Sequence, residues 1–168
     1  NEVKDLNHEI SIVVVNDASS QQILDTYPNI ENIQSIELIN MKENRGHARC
    51  IASGLKYIFE KKEFDFIIPM DGDGEDSPEE IKNFIEFSKE ANDKSIIGER
   101  VKRSENLFFQ ICYQFHKFLT LAFTGHSIKF GNFTCLSKST VKKMLDEKST
   151  WNSFSGSLKK IEKELVSM

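Results

Sequence analysis

The run FDFIIPMDGDGEDSPEE, residues 64–80, decides how this chain reads. Its first seven residues are almost wholly apolar and end in Pro69-Met70, the pattern of a buried strand running into a loop. In open α/β sheets, ligands bind at the carboxyl ends of the strands, which is where the acidic stretch falls. Asp71 and Asp73, one small residue apart, can converge on a hard divalent cation that bridges substrate phosphates. Gly72 and Gly74 permit close backbone approach and unusual dihedrals. Ser77-Pro78-Glu79-Glu80 then predicts a helix start, with Ser77 as cap, Pro78 in the first position and Glu80 completing a capping box. The helix is expected to run to about residue 91, turning Ile81, Phe84, Ile85 and Ser88 inward. An isolated Asp-x-Asp also fits a solvated turn. Its position between a strand and a helix start favours the cation site.

Outward from this stretch, strands and helices alternate. ISIVVV, residues 10–15, predicts a strand buried on both faces, ending in the polar turn Asn16-Asp17-Ala18-Ser19-Ser20. Residues 35–39 read as a second strand. Residues 46–60 read as a helix with Ala48, Ile51, Leu55, Ile58 and Phe59 on one face. Beyond the acidic loop come a short strand at 95–98, a long helix at 105–124, an extended segment at 129–136, and closing helices at 141–145 and 158–166. This order predicts an α/β fold with a mostly parallel sheet flanked by helices, a single domain over residues 1–168.

Composition narrows the functions. The chain has 168 residues, 39% hydrophobic and 29% charged, with a formal net charge of −4, so no global basic field points to nucleic acid. The three cysteines, Cys50, Cys112 and Cys135, are odd in number and far apart, which suits neither a disulfide framework nor a zinc motif and suggests a reducing compartment. The expected long helix carries an apolar arc of Phe108, Ile111, Phe115, Phe118 and Ala122. Gln110, Gln114, His116 and Lys117 make it unsuited to spanning a membrane, so it is read as a core helix with partial contact to a membrane interface. Arg100, Lys102 and Arg103 follow the short strand and suit phosphate binding, since the guanidinium fork pairs with two oxygens at once.

Five segments together resemble the family 2 glycosyltransferases of the GT-A fold, in the branch of dolichyl-phosphate mannose synthase and bactoprenol glucosyltransferases. They are VVVNDASS (13–20), NRGHARCIASGL (44–55), IIPMDGDGEDSPEEI (67–81), IIGERVKR (96–103) and FGNFTCLS (130–137), in the family's order and spacing. The resemblance implies a nucleotide-diphosphate sugar as donor, Mg2+ or Mn2+ as cofactor, and a lipid-phosphate or glycan acceptor in cell-envelope or glycan biosynthesis. It implies a cytoplasmic site, at the cytoplasmic face of a membrane. Asp17 is implied to contact the nucleotide base or ribose, with Asn44 and Arg45 near the nucleotide. Asp71 is implied to contact ribose or metal, Asp73 to be the main metal ligand, and Glu75 to stand where relatives carry Gln. Arg100 and Arg103 are implied to lie beside the active site, on a diphosphate or an acceptor phosphate. His47 reads as a helix-start packing residue, and Trp151 is given no role.

Two departures from the family shape the expectation. The chain opens almost directly at the family's second strand, so the first strand and helix are expected to be missing and the chain to be a fragment, with apolar faces left unpaired. Asn132 stands where relatives tend to carry Asp, and an amide cannot serve as a general base. That favours a polyprenyl phosphate acceptor, already an anion, while Glu75 and Asp76 are the candidate bases for a hydroxyl acceptor. Asp73, Glu75 and Asp76 are thus the candidate catalytic residues. Two other readings stay open at this point: a nucleotidyltransferase, and a non-catalytic remnant or binding module of the same fold.

Overall fold

The computed structural model describes residues 8–21, 23, 26–27, 29–88, 94–98 and 130–167. The expected long helix at 105–124 and the cations Arg100, Lys102 and Arg103 lie outside the described residues.

Strand β1 (Ile10–Asn16) pairs in parallel with β2 (Ile33–Asn40), from Ser11 opposite Ser35 to Asn16 opposite Asn40. Their carboxyl ends are fixed by side-chain amides. Asn16 Nδ2 donates to Asn40 Oδ1 at 2.8 Å, while Asn16 Oδ1 accepts the Ser19 N–H at 2.9 Å. The second sheet has four strands in the order β3-β5-β4-β6. They are β3 (Phe66–Ile67), β4 (Ile96–Ile97), β5 (Thr134–Ser137) and β6 (Val166–Ser167). β5 runs antiparallel to both β3 and β4, and β4 runs parallel to β6. The α/β layering is as expected, with β5 as its antiparallel member.

Among the described residues no ladder joins β1 to β3. β1 is therefore not buried on both faces as its β-branched run suggests: Ile12 is 36% exposed. Phe66 and Met70 are also open, at 37% and 39%. A strand with one laddered neighbour covers only part of its surface. The expected strand at 64–70 also shortens to Phe66–Ile67, and Pro69, which has no N–H to give, ends any further pairing.

Helix α1 (His47–Lys61) joins the two halves. Of its buried residues, Ala52 and Leu55 lie three positions apart on one face, and Gly54 lies on another. Gly54 sits so close to β1 that a Cβ there would lie 2.9 Å from Val15 Cγ2. Leu55 enters the main core with Ile67, Ile97, Phe130, Leu136, Val141, Met144, Phe154 and Leu158. The last four come from α3 (Lys138–Asp146) and α4 (Phe154–Ile161), which a 3-10 turn (Lys148–Trp151) connects. Both helices are capped by serine: Ser137 accepts from the Thr140 N–H and Ser153 from the Gly156 N–H.

A smaller cluster forms where α2 (Glu79–Ser88) lies on the second sheet, with Phe84 edge-to-face on Phe133 beside Ile96 and Cys135. The α2 start differs from the capping box. The Ser77 hydroxyl donates to the Glu79 carboxylate, while the Glu80 N–H goes to the Ser77 carbonyl. The C-terminal segment differs too. The helix expected over 158–166 runs from Phe154 to Ile161, and Val166 is already in β6. Glu162 is the reason. Its carboxylate accepts the Ser95 N–H and hydroxyl at 2.8 and 2.7 Å and the Thr140 hydroxyl at 3.1 Å. Those bonds satisfy side chains that are 0% and 2% exposed and carry the chain across to β4.

Candidate functional site

The site is built at the first turn of α1. Asp17, just past β1, accepts the Arg45 N–H on Oδ1 and the Gly46 N–H on Oδ2, each at 2.8 Å. The first N–H groups of a helix have no partner within it, and a carboxylate is a strong acceptor there. Gly46 has φ 86, a backbone geometry that side chains rarely tolerate. Asn44 and Arg45 are exposed beside this clamp. The Arg45 guanidinium pairs with Glu43, and it lines a cleft of about 360 Å³ with Met41, Arg49, Ser53 and Trp151.

The acidic loop follows β3. Asp76 is only 9% exposed, and its Oδ2 accepts the Asp71 N–H at 2.8 Å, closing the loop on itself. Asp73 Oδ1 accepts the Glu75 N–H at 2.9 Å, a local side-chain turn. Gly74 has φ 81. The loop therefore presents Asp71, Asp73 and Glu75, and draws Asp76 inward as its latch. Among the described residues Asp73 Oδ2 has no partner. No cluster of three or more His, Cys, Asp or Glu residues converges among the described residues. Two carboxylates nonetheless fit Mg2+ or Mn2+, which take one or two protein carboxylates and complete their shell with substrate phosphates and water.

His47 links these parts. Its Nε2 stands 3.5 Å from Asp71 Oδ1 and forms a hydrogen bond with the Asn132 side-chain amide. The imidazole is 56% exposed. At that exposure the ring is held by polar contacts more than by the packing its helix-start position suggests. No local sequence signal marks it, because its partners are distant in the chain.

The structure thus gathers Asp17, Arg45, Asp71 and, through the loop, Asp73, Glu75 and Asp76 around one helix start, where Asn132 also meets His47. Arg100 and Arg103 lie outside the described residues. Neither described thiol is suited to nucleophilic work: burial pushes Cys135 up to about 12, and burial also raises Cys50, whose Sγ points to the Val15 carbonyl.

The sequence profile of glycosyl transferase family 2 matches residues 2–148. The chain belongs to glycosyl transferase family 2. That membership takes in the strand ends and the acidic loop, and it sets the nucleotidyltransferase reading aside. The chain is 26% identical over 148 residues to the undecaprenyl-phosphate 4-deoxy-4-formamido-L-arabinose transferase of Proteus mirabilis, covering 85% of this chain and 42% of that protein. It is 29% identical over 133 residues to an uncharacterised protein of Methanocaldococcus jannaschii, covering 76% of this chain and 58% of that one. This family 2 chain therefore spans about half the length of the relatives it matches. Among the described residues, no helix is long and apolar enough to cross a membrane.

Proposed function

We propose that this family 2 chain carries the donor site of a glycosyltransferase that moves a sugar from a nucleotide-diphosphate donor to a polyprenyl phosphate at the cytoplasmic face of a membrane. One observation supports the reading above all. A single helix start ties the end of β1, the acidic loop and the Asn132 segment together, so a donor on the carboxylates and an acceptor at Asn132 would meet there. The similarity to an undecaprenyl-phosphate sugar transferase supports the lipid-phosphate acceptor.

In this reading Asp71 and Asp73 hold Mg2+ or Mn2+. When bound, the cation offsets the charge that gathers on the departing diphosphate. The protein's own part is orientation. Asp17 fixes the turn bearing Asn44 and Arg45 beside the nucleotide, and Arg100 and Arg103 serve a phosphate. Asp76 shapes the loop, and a base is unnecessary because a phosphate acceptor already bears its charge. Exposed Glu75 is the base only if the acceptor is a hydroxyl. Attack on the anomeric carbon with departure of the nucleoside diphosphate completes a single displacement.

The test is calorimetric donor binding by the full-length protein with Mg2+ or Mn2+, using UDP-glucose and GDP-mannose as probes. Asp73→Ala is expected to abolish metal-dependent binding while leaving the fold intact by circular dichroism. Unchanged binding in the folded variant would refute the site. Donor binding without sugar transfer to a polyprenyl phosphate would identify a binding module instead.

A further inference from the structure

The Asn132–His47–Asp71 contact reaches beyond the donor site. We propose that His47 is a positioning residue that holds the acceptor-side segment in register with the metal-binding loop, an inference that rests on the glycosyltransferase reading above. Its Nε2 touches both sides, 3.5 Å from Asp71 Oδ1 and hydrogen-bonded to the Asn132 amide. The sheet brings those two segments together independently. β3 and β5 pair antiparallel, with Phe66 opposite Ser137 and Ile67 opposite Leu136, so the loop that follows β3 and the segment that precedes β5 leave the sheet at the same end. His47 touches one residue of each.

Packing does not explain the residue, because the ring is 56% exposed and buries little apolar surface. The backbone that carries it is fixed from outside. Asp17 clamps the Arg45 and Gly46 N–H groups, and the next residue is His47. The ring is thus held at the end of a braced turn, and a rigid support transmits orientation to what it touches. One ring nitrogen makes one good in-plane hydrogen bond. The neutral Asn132 amide takes that bond, with the Asp71 carboxylate beside the same nitrogen. In this arrangement the imidazole sets the separation of donor and acceptor, where a displacement of about 1 Å costs on the order of a hundredfold in rate.

The experiment compares His47→Leu and His47→Gln in the full-length protein, with a polyprenyl phosphate in detergent micelles as acceptor and the better of UDP-glucose and GDP-mannose as donor. His47→Leu is expected to lower kcat by about 10- to 100-fold while donor affinity changes by less than about threefold. His47→Gln, whose amide reaches the place of Nε2, is expected to recover most of kcat. The ring 15N shifts of His47 in the substrate-free protein are expected to move on Asn132→Ala, a signature that needs no turnover. Equal kcat for wild type and His47→Leu would overturn the proposal, as would an unmoved 15N signal or a glutamine variant no better than leucine. A wild type that binds neither donor would instead remove the glycosyltransferase reading, and the positioning role with it.

Discussion

Asp17→Ala is the perturbation that most directly tests how the site is built. The carboxylate receives two backbone N–H groups at 2.8 Å, from Arg45 and Gly46. Bonds donated to a charged acceptor contribute more than neutral ones, about 1.5–3 kcal/mol each when sheltered. These are half-open to water, so the lower scale of a helix cap applies, about 0.5–2 kcal/mol, with up to about 1 kcal/mol from the helix dipole. The turn cannot relax to find other partners, because Gly46 is held at φ 86. A loss of about 2 kcal/mol follows, or roughly 4–8 °C in Tm for a chain of this size. Asp17→Asn should fall nearly as far, since an amide offers one acceptor and turns a donor toward the second N–H. The assays are thermal melting and urea unfolding at pH 7, followed by metal-free and Mg2+-supplemented donor titrations. Asp17→Ala melting with the parent would refute the clamp. Full stability with lost donor binding would instead make Asp17 a pure nucleotide contact.

Gly54→Ala places a Cβ 2.9 Å from Val15 Cγ2, a stiff branched side chain. The overpacking, about 1–3 kcal/mol, outweighs the helix-propensity gain of about 1 kcal/mol. Net destabilisation in urea is expected, with recovery when Val15→Ala is added. Acid should weaken the fold through Glu147, which its bond from Lys160, then its bonds from Ser149, lower from 4.5 to about 2. A carboxyl depressed in the folded state stabilises above its unfolded value, and that contribution fades as pH falls from 4.5 towards about 2. Glu37, lowered chiefly by Lys62, and Glu63, lowered by Lys138, act in the same direction. Lys160→Met should flatten the acid limb of a stability-against-pH curve, and an unchanged limb would count against the Glu147–Lys160 pair.

The α/β architecture was legible because its strongest local signals are also its structural ones. ISIVVV gave a strand, and the three- and four-residue recurrence of Ile51, Leu55 and Ile58 gave α1. The errors occur where tertiary partners outcompete local pattern. LKKIEKELV has helical spacing throughout, yet Glu162 serves two buried hydroxyl side chains and Val166 pairs with Ile96, so the helix stops early. Ser77 looks like a cap, but a neighbouring carboxylate takes its hydroxyl. The double burial expected of β1 failed for a different reason. Composition reports that a strand suits an apolar environment, not how many neighbours it meets.

The same distinction explains which site residues the sequence could offer. Asp71 and Asp73 announce themselves because a carboxylate pair beside glycines is a local pattern with a chemical meaning. Asp76 belongs to that pattern but does another job: buried, and bonded to the Asp71 N–H, it closes the loop on itself. Asp17 is read at a strand end, but its action is on residues 28 and 29 positions further along. His47 carries no pattern at all, and its contact with Asn132 closes an 85-residue separation. Its place follows from the geometry of two strands and a helix start, each set by hydrophobic packing remote from the chemistry. Asn132 meets the ring through an uncharged amide, and the carboxylate that stands beside the same nitrogen is Asp71, from the acidic loop.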